Sequence, residues 1–402
     1  MKILVITGYC LKVNSSANLC HLSYIKGLLD NGITVDLITR SDKNQNIDNG
    51  IKMPNVRNII EYDGSMYDRI GGIKKQFDGK SSSVGAHSNT SNKKPSLAKR
   101  FIKSIKRIIR NSYGVYRTDI VWFKKAKKFF SDEKYDYVIT LAHPPISHKL
   151  AEYLIRKNRI KADKWIQIWE DPWYADLGFK HTESEKREEG RLLKQGELIY
   201  YVSPITLEYQ KEMFPESSEK MRWMPLPSYY EQTVPTNNDK PCFGYFGDYE
   251  LYIRNLVPFY DAAVKEKINV YICGNSKRAF ASTDTVKVYP RMPLQELEKY
   301  ENQTNVLVFL CNLRGGQIPG KIYQYSATDK KILFILDGTE DEKKIIREYF
   351  EQFKRYVFCE NNVESITEAI ELIRSGNLSD SYSTPLSNFT PSNIINKILE
   401  GK

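Results

Sequence analysis

Apolar runs of strand length alternate with helical patterns along this chain, pause at a proline-punctuated passage near residue 225, and begin again at Cys242. The first series opens with the strand "MKILVITGY", the helix "NLCHLSYIKGLLDNG" and the strand "TVDLITRS". It continues through "YDYVITLAHPP", "ISHKLAEYLIRKN", "KWIQIWEDPW" and "ELIYYVSP". The second runs through "CFGYFGD", "LVPFYDAAVKEK", "INVYICGN", "VKVYPRMP", "LQELEKYENQ" and "TNVLVFLCN". Strands that are apolar throughout and separated by helices predict parallel sheets covered on both faces. A length of 402 residues exceeds what one core usually serves. The chain is therefore read as α/β with two Rossmann-like domains, 1–225 and 241–385, joined by a linker over 226–240. A terminal helix over 386–402 is expected to cross back to the first domain.

Six cysteines lie far apart with no CxxC pair, mostly in apolar runs, so they read as core thiols rather than disulfides or zinc ligands. The N-terminus has only a short apolar run and no cleavage pattern, and no stretch approaches the length needed to span a bilayer. A cytoplasmic protein is expected. The net charge of +11 is concentrated: thirteen Lys or Arg face one acid, Asp119, between Lys93 and Phe130. A polar, low-complexity stretch over 79–96 reads as a mobile loop. After it, Leu97, Phe101, Ile105, Ile108 and Ile109 recur at helical spacing over 96–112, with Lys103, Lys106 and Arg107 among the residues on the other face. With Trp122, Phe123, Phe129 and Phe130 nearby, this composition suits an anionic membrane interface; a helix packed on its own domain is the other reading. No helix-turn-helix, zinc or RNA-binding signature accompanies the basic residues, so nucleic acid is not the expected partner.

Open parallel sheets bind ligands beyond the carboxyl ends of their strands. In the first domain those turns hold Gly8, Tyr9 and Ser16, then His143, then Glu170 and Asp171; in the second, Gly247, Gly274 and Arg291. The last turn, "GGQIPGK", is the most distinctive, with Gly315, Gly316, Gln317, Pro319, Gly320 and Lys321 leading into a short helix that carries Gln324. Glycines and exposed amides there suit phosphate oxygens, with Lys321 adding charge; a solvated lysine after a plain turn is the other reading. It is not a Walker A loop, because Ile322 follows the lysine where a hydroxyl is required.

The order of these pieces resembles the GT-B glycosyltransferases, in particular the retaining family 4 enzymes of bacterial capsule and O-antigen synthesis. It includes "MKILVIT", "KWIQIWEDPWYADL", "ELIYYVSPITLEYQKE", "GYFGD" with "IRN", and "GGQIPGKIYQYSATDKKILFI". The resemblance implies a hexosyltransferase that moves a sugar from a nucleotide-diphosphate sugar to a saccharide on a polyprenyl diphosphate, in capsule, O-antigen or exopolysaccharide synthesis. It would need no metal and no cofactor beyond the donor substrate, and would work at the inner face of the cell membrane. Gly320, Lys321 and Arg254 would hold the diphosphate, and the turn at Arg291 would sit beside the base. Two departures stand out: Gly316 and Gln324 occupy the places of the family's two glutamates. Glu170 stands where many relatives have a histidine, and Glu170, Asp171 or His143 would take the acceptor's proton. A sugar-nucleotide epimerase of the same fold, or an inactive binding protein, are the alternatives.

Overall fold

The computed structural model describes residues 1–65, 114–176, 181–229 and 241–402. The loop over 79–96, the helix over 96–112 with Phe101, Lys103, Lys106 and Arg107, and most of the linker lie outside these residues.

The first domain holds one parallel sheet of seven strands, ordered β3-β2-β1-β4-β5-β6-β7. They are β1 (Lys2–Thr7), β2 (Thr34–Arg40), β3 (Asn58–Tyr62), β4 (Lys134–Ala142), β5 (Lys161–Trp169), β6 (Leu198–Tyr201) and β7 (Met221–Trp223). Among the described residues its helices are α1 (Ser16–Asp30), α2 (Asp119–Ala126), α3 (Ile146–Arg156), α4 (Glu183–Leu193) and α5 (Pro204–Met213). The second domain holds a six-stranded parallel sheet, ordered β10-β9-β8-β11-β12-β13. Its strands are β8 (Cys242–Phe246), β9 (Asn269–Cys273), β10 (Val286–Tyr289), β11 (Val306–Leu310), β12 (Lys331–Leu336) and β13 (Val357–Glu360). Helices α6 (Val257–Lys265), α7 (Leu294–Asn302), α8 (Lys321–Ser326), α9 (Glu340–Glu351) and α10 (Val363–Arg374) complete it, and α11 (Pro391–Leu399) ends the chain. In each sheet the strand order reverses beside the first strand of the domain, between β1 and β4 and between β8 and β11. Such a switch point opens a crevice at the carboxyl ends of the strands.

The last helix returns to the first domain. Ile394, Ile395 and Ile398 are buried in a core that also takes in Ile25 and Leu28 of α1 and Ile322 and Tyr323 of α8. Gly27 permits the approach, because a β-carbon there would lie 2.3 Å from the carbonyl oxygen of Pro391. The Asn31 amide donates to Ser392 O at 3.1 Å, and Tyr200 OH donates to Ile398 O at 3.1 Å. All six cysteines are buried free thiols.

Trp122 corrects the sequence reading of its segment. It is fully buried, and its indole N–H donates to Thr39 O at 3.3 Å, while Phe123 and Ala126 are buried beside it. Residues 122, 123 and 126 form the inward stripe of α2, which packs on the sheet; Lys124 and Lys125 remain outside. Trp122 is therefore a core residue rather than a membrane contact.

Candidate active site

The strand ends of both domains converge on one cleft. On the first-domain side, Thr7 ends β1, His143 follows β4 and Glu170 follows β5. Gly8 donates its amide to Ser147 Oγ at 2.9 Å, and a side chain there would strike Ile146. Tyr9 lies half-buried with its ring stacked on His21, centroids 6.1 Å apart. Ser16 is exposed; Ser15 is the residue that caps α1, accepting from the Asn18 amide at 3.2 Å.

His21 was not singled out by the sequence, because it sits in the apolar pattern of α1 with no partner nearby in the chain. The fold sets its Nε2 3.3 Å from Glu170 Oε1 and its Nδ1 2.9 Å from Thr7 Oγ1. Both His21 Nε2 and Glu170 Oε1 are enclosed without an aligned hydrogen bond. Burial, helped by the charge of His143, pushes the imidazole down to about 3, and burial beside Asp171 pushes the Glu170 carboxyl well up. The pair thus favours two uncharged groups. Asp171, half-buried, is also raised by desolvation, against the opposing pull of His143 and Arg254. His143 is half-buried and its Nδ1 has no partner.

Arg254 comes from the second domain, and its positive charge favours the ionised form of Asp171. Its Nε donates to Asn312 Oδ1 at 2.8 Å, and the Asn312 amide donates to Gln317 O at 3.2 Å. This chain of bonds anchors the Gly-rich turn to the guanidinium. Gln317 Nε2 and Gln324 Oε1 are enclosed polar atoms without hydrogen-bond partners among the described residues, and Gln324 is almost fully buried. Lys321 begins α8, with its ammonium 3.8 Å from Glu301; burial lowers its pKa, and Arg291 adds to that effect. An arriving phosphate would reverse that penalty.

The glycines serve packing as much as phosphate access. Gly315 and Gly316 have φ of 89° and 66°, where a side chain is strained. Gly316 meets Ile205 of the first domain, and the Ser203 hydroxyl donates to its carbonyl. Gly320 has ordinary helical φ and needs room instead, since a β-carbon would lie 2.8 Å from Leu226 Cδ1. Pro319 is half-buried and accepts from the Ile322 amide. Gly274 lies against the backbone of Gly247 with no room for a side chain, since a β-carbon there would lie 1.9 Å from Gly247 O, whereas Gly247 itself has space. Arg291 donates to Asp248 Oδ2 at 3.1 Å and to Asn14 O of the first domain at 3.4 Å. Among the described residues, no group of three or more His, Cys, Asp or Glu has the arrangement of a metal site.

No family model and no curated protein matches this chain. Solved structures do. A glycosyltransferase from Rickettsia africae aligns over 99% of this chain and 97% of its own at 13% identity and a TM-score of 0.52. Sucrose-phosphate synthase from Thermosynechococcus elongatus aligns over the same shares at 14% identity and a TM-score of 0.57. TarM of S. aureus, solved with UDP and alpha-GlcNAc-glycerol, aligns over 100% and 99% at 9% identity and a TM-score of 0.53. The two parallel-sheet domains and these likenesses together establish that the chain has the GT-B fold of glycosyltransferases.

Proposed function

We propose that this protein is a glycosyltransferase that moves a hexosyl group from a nucleotide-diphosphate sugar to a saccharide hydroxyl. The observation that carries the reading is the docking of the Gly-rich turn on the first domain, where the Ser203 hydroxyl donates to Gly316 O, so that Glu170, His21 and His143 lie on one side of the cleft and Lys321 and Arg254 on the other. Breaking the anomeric bond leaves negative charge on a diphosphate, which Lys321 and Arg254 would stabilise. The acceptor hydroxyl loses its proton as the new bond forms, and Asp171 and His143 are the candidate bases, while Glu170, kept uncharged by burial, is a candidate proton donor to the leaving group. Gln324 and Gln317 offer buried amide atoms to ligand hydroxyls. The UDP complex of TarM, which shares the fold, supports a nucleotide sugar as donor.

The finer reading keeps the family 4-like, retaining enzyme, working on a lipid-linked acceptor in surface polysaccharide assembly at the inner face of the membrane. No helix among the described residues is long and apolar enough to cross a membrane, and attachment would rest on the basic segment over 96–112. Flotation with anionic vesicles tests this: replacing Lys103, Lys106 and Arg107 by glutamate should abolish binding, and unchanged binding overturns it.

The donor assignment is tested by calorimetry with nucleoside diphosphates. Lys321→Ala should weaken binding at least tenfold, about 1.4 kcal/mol. Unchanged affinity overturns the assignment. Mass analysis of products separates transfer from the epimerase and from an inactive binding protein, neither of which joins sugar to acceptor.

A further inference from the structure

The turn that presents Asp171 is held from behind by a carboxylate outside the cleft. Glu189 of α4 is fully buried; its Oε1 accepts from the Trp173 amide at 3.1 Å and its Oε2 from the Tyr174 amide at 2.7 Å. These are successive amides just after Pro172, so one carboxylate grips the turn at two adjacent points. The neighbouring acids of α4 have cationic partners, Glu185 with Arg117 and Glu188 with Arg191 and Lys149. Among the described residues, Glu189 has no cation within ion-pair distance. The groups around it are Tyr201 of β6 and, in the turn, Trp173 packed on Tyr116, with Tyr174 beside it.

We propose, resting on the transferase reading, that Glu189 is a positioning residue whose ionised carboxylate fixes the 171–174 turn and thereby aims the Asp171 carboxyl into the cleft. The chemistry follows from donor and acceptor count. A carboxylate offers an acceptor to each of the two amides, whereas a protonated acid turns one oxygen into an O–H facing an N–H. That contact sets donor against donor, and one amide is left unsatisfied in a dry place. Burial brings Glu189 up to about 7, against the lowering effect of the two amides, so both forms are populated near neutrality. The turn then tightens as the pH rises through this range.

Glu189→Gln mimics the protonated form permanently, because its NH2 must face one of the two N–H groups. Hydrogen exchange on the full chain should show the peptide spanning residues 171–176 exchanging at least tenfold faster in the variant at pH 8, as expected for one lost charged hydrogen bond. Transfer or donor hydrolysis should lose about tenfold in kcat at pH 8 with donor KM unchanged, and the limb near pH 7 should vanish. Unchanged exchange in this peptide, or an unchanged pH limb, overturns the proposal. The wild-type protein alone provides a second test should the variant fail to fold. Protection of this peptide, corrected for intrinsic exchange, should rise between about pH 6 and pH 8; a flat profile overturns the proposal. Absence of any transfer or hydrolysis would sink the transferase reading, while the exchange data would still report on the clamp.

Discussion

Ile205 occupies the space that a side chain on Gly316 would need. A β-carbon at Gly316 would lie 2.2 Å from Ile205 Cγ2, and the Ser203 hydroxyl two residues earlier holds the Gly316 carbonyl. The position at which the resemblance would place the first of two glutamates therefore has no room for a side chain, because the turn is docked on the start of α5. Introducing a glutamate there should harm the protein. Gly316→Glu combines positive φ with overpacking, for a loss of about 2 to 4 kcal/mol in denaturant unfolding. Ile205→Ala should recover part of that loss in the double variant, and purely additive losses would contradict the contact.

His21 gives a pH dependence with a definite sign. Its folded-state pKa, lowered to about 3 by burial, lies below that of the unfolded chain. The stabilisation is present above about pH 6.5 and is lost as the unfolded state takes up a proton on the way down, by about 2 kcal/mol at pH 5. His148 is lowered by burial in the same direction. Thermal melts from pH 7 to pH 5 should fall less steeply for His21→Gln than for the wild type; equal slopes would show that His21 does not titrate in this way.

Glu170 should be indispensable for turnover. Glu170→Gln removes the acid while keeping its shape, and a positioned proton-transfer group of this kind contributes roughly 100-fold to 10,000-fold. Steady-state kinetics should show that loss in kcat with nucleotide affinity preserved, because the donor contacts belong to the second domain.

Asp48 links the domains at the other side of the cleft. Its Oδ2 accepts from the Asn14 amide at 2.9 Å and from the Leu294 amide, at the start of α7, at 3.3 Å. Asp48→Ala should destabilise the first turn of α7 by about 1 kcal/mol, seen as faster hydrogen exchange there, while Asp48→Asn retains an acceptor and should lose less.

Trp122 and the basic segment separate structure from attachment. Trp122→Ala should cost about 3 to 5 kcal/mol, as for other large buried side chains, with vesicle binding unchanged under native conditions. Weaker vesicle binding by a fully folded variant would return Trp122 to the interface.

The sequence by itself determined what local periodicity can carry. Alternating apolar runs specified two parallel α/β domains, the restart at Cys242 located the second, and the apolar context of the six cysteines foretold buried thiols. The turn from Gly315 to Lys321 was legible as a special backbone because glycine, proline and lysine at that spacing are a local signal. Only the tertiary structure decided what each residue faces. His21 and Glu170 are remote in the chain and meet because α1 follows β1 and the end of β5 lies one strand beyond β4, on the other side of the strand-order reversal. Ser203 and Gly316, on different domains, meet through docking that no local pattern encodes. Trp122 looked interfacial beside lysines and was buried by the contact of α2 with β2. Periodicity fixes which side of an element is apolar; the packing of distant elements fixes which polar atoms are enclosed together, and at this cleft that enclosure sets the protonation of the candidate acids and bases.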